Sequence, residues 1–133
     1  MDMSMMMMNS TMMEGMDMMA MQNLIEASSA CEQACTMCAN SSLGMAGMEK
    51  CAAMCMNCAD MSNTMMRMMM RPAAMDMDSM MAMMEACKVM ATACAAECSM
   101  HADMSEQCRM CATACQEMAM ACDAMMASMK AMK

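Results

Sequence analysis

The chain has 133 residues and a net charge of −8 at pH 7, with 15 acidic residues against 7 basic ones. This acidity argues against nucleic acid or an anionic membrane as a partner, and the absence of aromatic residues removes the side chains on which bases stack. With 39 methionines and 13 cysteines, the core must be built largely from Met, Ala and Cys, and no uncharged apolar run reaches the roughly 18 residues of a membrane span.

The first 18 residues are a low-complexity segment of Met with interspersed Asp, Ser and Gly. We predict a flexible, Met-rich N-terminal tail over residues 1–18 and a single folded domain over residues 19–133. The first basic residue is Lys50, so the N-terminus lacks the charged start of a secretion signal. The protein is therefore expected to be cytoplasmic if Met1 is its native start, and exported if the chain is a mature fragment.

Helical spacing of apolar residues predicts four helices separated by short breaks. Gly44 suits the left-handed conformation at the end of the first helix, and Pro72 is typical of the first turn of a helix. The expected helices are Ala20–Ser42, Ala46–Arg71, Ala73–Met100 and Ser105–Met129. Residues 76–79 offer an alternative start for the third. Because short connections make neighbours antiparallel, the prediction is an all-α, up-down-up-down four-helix bundle.

The cysteines form four runs, one in each predicted helix, with neighbours three, four or seven residues apart. The runs are Cys31, Cys35 and Cys38; Cys51, Cys55 and Cys58; Cys87, Cys94 and Cys98; and Cys108, Cys111, Cys115 and Cys122. These spacings return a side chain to the same face of a helix. The four stripes are therefore expected to face one another in a Cys-lined core. The runs alternate between late and early positions in their helices, which places the thiols in one half of the bundle.

Methionines continue the same faces into the other half of the predicted bundle. At about 100° per residue, the residues that extend the stripes are Met65, Met69, Met80, Met83, Met126 and Met129. Met at helical spacing is usually packing, but its thioether also binds soft metal ions. The pattern leaves both roles open, and it leaves a metal-collecting role open for the tail.

Disulfides do not suit these spacings. Residues four apart in a helix have Cβ atoms roughly 5 to 6 Å apart, whereas a disulfide needs roughly 3.5 to 4.5 Å. A metal held linearly between two thiolates, with bonds of about 2.3 Å, separates its sulfurs by about 4.6 Å. The odd number of cysteines also argues against a disulfide framework, so the stripes favour metal.

Cu(I) fits continuous sulfur stripes better than other metals. Zinc prefers closed tetrahedral sets of four ligands, and iron–sulfur clusters need four cysteines around one compact centre. Cu(I) is soft and favours thiolate and thioether ligands, and Ag(I) is expected to mimic it. Buried thiols stay protonated, so one Cu(I) per displaced proton keeps the core neutral. Nothing in the sequence pairs a nucleophile with a catalytic base, so we predict multiple Cu(I) ions per chain and no enzymatic activity.

The segments A-A-E-C-S-M-H (residues 95–101) and E-Q-C-R-M-C-A-T-A-C (residues 106–115) resemble the last two helices of the bacterial copper storage proteins, and the resemblance covers about residues 24 to 123. It implies cooperative Cu(I) binding by the core cysteines, often through C-x-x-x-C pairs, and auxiliary ligands where copper enters, at His101 and Met48. It also implies association into tetramers. Copper-accepting proteins are expected as further partners. The alternatives are a copper chaperone or regulatory protein, and a Met-rich helical bundle designed on a copper-storage template.

Overall fold

The structure is a computed structural model that describes residues 17–73 and 75–132. Its four helices are α1 (Met18–Ser41), α2 (Glu49–Met69), α3 (Met77–Ser99) and α4 (Glu106–Ala131). Each helix packs against the next, and α4 packs against α1, which closes an antiparallel bundle. No strand occurs in the described residues. The predicted all-α four-helix fold is confirmed.

The segment predicted to be a tail lies outside the described residues except at its end. Asp17 caps α1, because its side chain accepts a hydrogen bond from the Ala20 backbone N–H at 3.0 Å. Such a bond satisfies one of the free donors of a helix N-terminus. The first helix therefore begins at Met18, two residues before the predicted start.

Two helix starts differ from the prediction for local reasons. Helix α2 begins at Glu49 rather than Ala46 because the connection contains a second left-handed residue, Gly47, with φ +82°. Gly44 has φ +76° and adopts the left-handed conformation expected of it. Both angles favour glycine, which has no Cβ to clash.

Helix α3 begins at Met77 rather than at the position after Pro72. The Asp76 carboxylate accepts a hydrogen bond from the Ser79 backbone N–H at 3.1 Å, so the alternative start over residues 76–79 is the correct one. Helix α4 begins in the same way, with the Ser105 hydroxyl accepting from the Cys108 backbone N–H at 3.2 Å. In both cases a short polar side chain fixes the first turn.

Each helix buries one stripe in which the spacing alternates between three and four residues. The stripes are 21, 24, 28, 31, 35 and 38 in α1; 51, 55, 58, 62, 65 and 69 in α2; 80, 84, 87, 91, 94 and 98 in α3; and 108, 111, 115, 118, 122, 125 and 129 in α4. This alternation averages 3.5 residues and is typical of helices that cross at a shallow angle. Most cysteines of the stripes lie toward the α1–α2 and α3–α4 connections, and the methionines lie toward the other end, with Cys122 on α4 lying between Met118 and Met125.

Met84 occupies the place on α3 that was predicted for Met83. The side chain of Met84 has no exposed surface, whereas Met83 is only half-buried. The reason is the spacing of the buried stripe, which alternates between three and four residues. Met80, Met84 and Cys87 keep this spacing and therefore lie on the same buried face of α3. The other five predicted methionines of this half are buried.

Candidate metal centre

Every cysteine of the chain is a free thiol with no exposed surface. Eleven of these buried thiols are stacked in the half of the bundle that carries the connections, as their spacing predicted. The prediction is wrong for the other two, because Cys87 lies near the middle of α3 and Cys122 lies beyond the middle of α4. Cysteine is among the most frequently buried residues and acts as a small hydrophobe when it is alone. The stacking of so many in contact distinguishes this core from ordinary packing.

The thiols form four overlapping groups, in each of which all sulfurs lie within 4.8 Å of one another. The groups are Cys31, Cys35, Cys58 and Cys115; Cys35, Cys55, Cys94 and Cys111; Cys38, Cys55, Cys98 and Cys111; and Cys38, Cys51 and Cys108. The first two groups share Cys35, and the last two share Cys38. The groups therefore form one continuous column of sulfur rather than separate sites.

Contacts between helices are as short as those within a turn. The Sγ atoms of Cys31 and Cys35, one turn apart on α1, are 3.9 Å apart. Across the bundle, Cys35 and Cys111 are 3.4 Å apart, and Cys31 and Cys58 are 3.7 Å apart. All these separations exceed the bond length of a disulfide, about 2.05 Å. They lie within a small side-chain adjustment of the roughly 4.6 Å spanned by two thiolates on one linear metal ion.

Burial controls the protonation of the two thiols outside the four groups, Cys87 and Cys122. Burial raises the pKa of each to about 12, and the nearby Cys31 contributes to both shifts. A charge on Cys87 raises the pKa of Cys122 further. Both thiols are therefore neutral at physiological pH.

Inside the groups, neighbouring thiols divide the protons unevenly. Hydrogen bonds from Cys115, Cys35 and Cys58 lower the pKa of Cys31, because S–H donors stabilise a thiolate. A hydrogen bond with Cys111 raises the pKa of Cys35, because a second thiolate beside the first is disfavoured. Thiols within one group therefore differ in acidity.

The donor set fits a soft monovalent ion better than zinc. Zinc needs closed sets of four ligands, and because the groups share residues, at most two disjoint quartets can be chosen from them. One such choice, the first group with the third, leaves Cys51, Cys94 and Cys108 unused together with Cys87 and Cys122. Cu(I) accepts two or three sulfurs and a mixture of thiolates and thioethers, so it can use the whole column.

The sequence profile of a family described as copper storage protein matches residues 17–127 of the chain. The chain belongs to the copper storage protein family. This match confirms the resemblance seen in residues 95–101 and 106–115. No curated protein sequence matches the chain.

Solved structures of the family share this fold. The copper storage protein Ccsp from Streptomyces lividans, loaded with 10 copper equivalents, is 37% identical to this chain with a TM-score of 0.84, covering 86% of this chain and 89% of that one. A structure of a cytosolic copper storage protein from the same organism, with five coppers, is 37% identical with a TM-score of 0.79, covering 81% and 92%. A histidine-to-alanine variant of Ccsp is 36% identical with a TM-score of 0.84, covering 86% and 98%.

A polar cluster lies beside the column at the end of the bundle that carries the connections. His101, in the α3–α4 connection, has its Nε2 atom 3.1 Å from a Glu97 carboxylate oxygen. The other Glu97 oxygen is 3.7 Å from Lys50 Nζ. Glu97 lies in the last helical turn of α3, next to Cys98, and is almost completely buried. A buried carboxylate needs such partners, since an unpaired one is strongly disfavoured.

The two auxiliary residues predicted from the resemblance occupy different positions. The His101 side chain is 15% exposed, so it can meet an ion from solvent. Met48 is 3% exposed and precedes the first residue of α2, three residues before Cys51. Both therefore lie at the connection end of the column, with His101 nearer the surface.

Ser28, Ser62 and Met118 are among the buried residues of the seam that were not identified from the sequence. They continue the three-and-four spacing of the neighbouring cysteines, although the sequence does not say which step applies at each position. The Ser62 hydroxyl donates to Met118 Sδ at 3.0 Å, and the Ser28 hydroxyl, fully buried, has no hydrogen-bond partner among the described residues. An unsatisfied buried hydroxyl costs on the order of 1–3 kcal/mol, which ordinary packing would not favour.

Among the residues that the structure describes, no helix has the length and apolar content needed to cross a membrane.

Proposed function

We propose that this protein stores Cu(I), binding many ions per chain through the cysteine thiolates that line its core. The observation that carries this function is the continuity of the column, in which each group of sulfurs shares a cysteine with the next. An ion can sit between any neighbouring pair of sulfurs, so the number of ions scales with the number of thiols. All thirteen cysteines are the proposed ligands, and His101 and Met48 are proposed auxiliary ligands at the connection end.

Charge balance sets the expected capacity at about one ion per thiol. Each Cu(I) displaces one proton from a thiol, so the sulfur changes from S–H to S–Cu and the core stays neutral. A neutral core avoids the large cost of leaving an isolated charge in an apolar interior. The protonated apo core is neutral as well, which lets the bundle fold before it takes up metal.

A chaperone that delivers one ion to a partner is the second candidate. Such a protein needs a metal site that its partner can reach, and here all thirteen sulfurs are fully buried. This burial favours storage over rapid transfer. It also favours binding over catalysis, because His101 pairs with the Glu97 carboxylate rather than with a thiol.

Four further properties belong to the same proposal. We place the protein in the cytoplasm, which is supported by its likeness to a relative described as cytosolic. We assign metal binding to the bundle over residues 19–133 and propose that the Met-rich segment 1–18 is a separate tail. We also propose exchange of copper with accepting proteins and assembly into a homo-oligomer, since the bundle has exposed Met side chains on its outer faces.

An anaerobic titration with Cu(I) in the presence of a competing chelator tests the storage function. We expect about ten or more tightly held equivalents, with helical circular dichroism present before metal is added. Saturation at one or two equivalents would reject storage and favour the chaperone. A parallel titration with Zn(II) is the control, and it is expected to stop at about two ions because the sulfur groups overlap.

A further inference from the structure

A layer of four residues, one from each helix, lies at the end of the sulfur column that is farther from the connections. This end is called the lower end. Ser28 comes three residues before Cys31 on α1, Ser62 four residues after Cys58 on α2, and Met118 three residues after Cys115 on α4. All three steps lead away from the connection end, over about 4.5 to 6 Å at 1.5 Å per residue. Because the three cysteines are mutually within 4.0 Å, the three residues beyond them share one level. We call this level the equatorial layer.

Cys87 supplies the fourth member of the equatorial layer. It lies seven residues before Cys94 on α3, or about 10.5 Å further from the connection end. Cys94 is level with Cys55, since their sulfurs are 3.8 Å apart, and Cys55 is itself about 4.5 Å above Cys58. Cys87 is therefore about 6 Å below Cys58, at the level of Met118. Cys122, four residues after Met118, lies one turn lower.

The polar atoms of this layer are unusual for a packed core. The Ser62 hydroxyl donates to Met118 Sδ, which fixes the position of a side chain that is otherwise flexible. That bond uses one lone pair of the sulfur and leaves the other free. The Ser28 hydroxyl is fully buried without a partner among the described residues, so a donor is available to an anionic sulfur in this layer.

We propose that the Met118 thioether joins the thiolates of Cys87 and Cys122 in a further site for a soft monovalent cation, Cu(I) or Ag(I), below the four sulfur groups. The inference rests on the storage function and extends it. When one ion is held by both thiolates, two thiol protons leave to solvent and the site keeps one negative charge, which the unpartnered Ser28 hydroxyl can stabilise by donating a hydrogen bond to a thiolate. The thioether donates a lone pair and releases no proton. A neutral third ligand completes the coordination of an ion held by these thiols without adding charge to the core. Ser62 is a positioning residue, because it acts through the Met118 sulfur.

Substitution of Met118 by Leu tests the site, with Met125→Leu as the matched control. Met118 and Met125 are both fully buried, on the same seam of α4 and seven residues apart, so the two variants remove the same atoms from equivalent environments. We expect Met118→Leu to retain one Cu(I) equivalent fewer than wild type against a chelator, and Met125→Leu to retain the wild-type number. Equal copper content in the two variants would overturn the proposal.

A second measurement does not depend on the variant folding. In wild-type protein labelled with ¹³C at the methionine methyl groups, the Met118 resonance, assigned through its correlations to the Met118 backbone, is followed during titration with Ag(I). We expect it to shift as the thiols fill, while the Met125 resonance stays in place. An unshifted Met118 resonance in a protein that has bound ten or more ions overturns this site and leaves storage intact. Saturation of the wild type at one or two ions is the separate outcome that rejects storage itself.

Discussion

The Sγ atoms of Cys31 and Cys115 lie 3.7 Å apart although the two residues are 84 positions apart in sequence. Cys31 is on α1 and Cys115 is on α4, so the contact exists only when the bundle has closed. The sulfur column is thus a product of tertiary packing. Ions held across such contacts crosslink the helices, and anything that binds only the native state stabilises it.

Shared cysteines are expected to matter more for capacity than unshared ones. Cys111 belongs to two sulfur groups, whereas Cys87 belongs to none. Substitution by Ser keeps the volume close to that of Cys and replaces a soft ligand with a hard one. We therefore expect Cys111→Ser to lose about two Cu(I) equivalents and Cys87→Ser about one, measured by copper content after chelator competition. Identical losses would show that the ions do not bridge neighbouring groups.

The stability of the apo protein is expected to fall as the pH rises above about 8.5. The pKa of Cys87 and of Cys122 is about 12 in the folded protein, so the native state keeps protons that the unfolded chain has lost. The free energy of unfolding then decreases by about 1.4 kcal/mol per pH unit for each such thiol. Below about pH 8.5 both states are protonated and the dependence disappears.

Urea denaturation of the reduced apo protein at pH 8, 9 and 10 measures this slope. The double variant Cys87→Ala/Cys122→Ala should be less stable because of its cavities, and its pH dependence should be shallower. The copper-loaded protein should show a weaker dependence as well, since metal has already replaced the protons. Equal slopes in wild-type and variant apo proteins would contradict the assignment of these thiols.

The buried methionines in the half of the bundle away from the connections are expected to be packing residues. Met118 is the exception. Changing Met65, Met69, Met84 and Met125 together to Leu keeps the core volume nearly constant and removes side chains with high rotamer entropy. We expect the free energy of unfolding of the apo protein to rise by about 0.5 kcal/mol per substitution, with an unchanged Cu(I) capacity. Thermal denaturation and copper content provide the two measurements.

The control for this variant uses exposed positions. Met37, Met56, Met110 and Met120 are more than half exposed, and their replacement by Leu should leave both quantities unchanged. A drop in copper content in the buried variant alone would identify these thioethers as ligands.

His101 is expected to control the rate of copper uptake rather than the final amount. It is the partly exposed member of the cluster with Glu97 and Lys50 at the connection end. Stopped-flow mixing with Cu(I) should show slower uptake in His101→Ala by several-fold, with the same capacity at equilibrium. Met104→Leu, in the same connection and 74% exposed, is the control. Uptake by His101→Ala at the wild-type rate would remove the imidazole from the pathway.

The spacing of the buried residues, and the end of the bundle that carries most of the thiols, could be predicted from the sequence because cysteine is easy to recognise. Four runs with helical spacing determined which faces meet, and the structure buries all thirteen thiols on those faces. The spacing also indicated which end carries the thiols, which is correct for eleven of them and not for Cys87 and Cys122. The start of α2 could not be found in this way, because Gly47 needed to be recognised as a second left-handed residue. The position of Met84 depends on a choice between steps of three and four, which only the partner helices decide.

The contacts between helices could not be predicted from the sequence either. Spacing identifies pairs within one helix, such as Cys31 and Cys35, but it does not say that Cys35 meets Cys111 at a shorter distance. That distance depends on how the helices cross and on the rotation of each about its axis. Ser28 was missed for a different reason, since a serine attracts no attention until its burial is known.

The one-for-one replacement of protons by copper has a consequence for recognition. A copper-loaded molecule and a copper-free one carry the same net charge of −8. They should therefore focus at nearly the same isoelectric point and elute together from an ion-exchange column. A partner in the cell that tells them apart cannot do so by long-range attraction. It must sense either the rigidity of the copper-loaded bundle or copper bound to the His101 imidazole at the connection end.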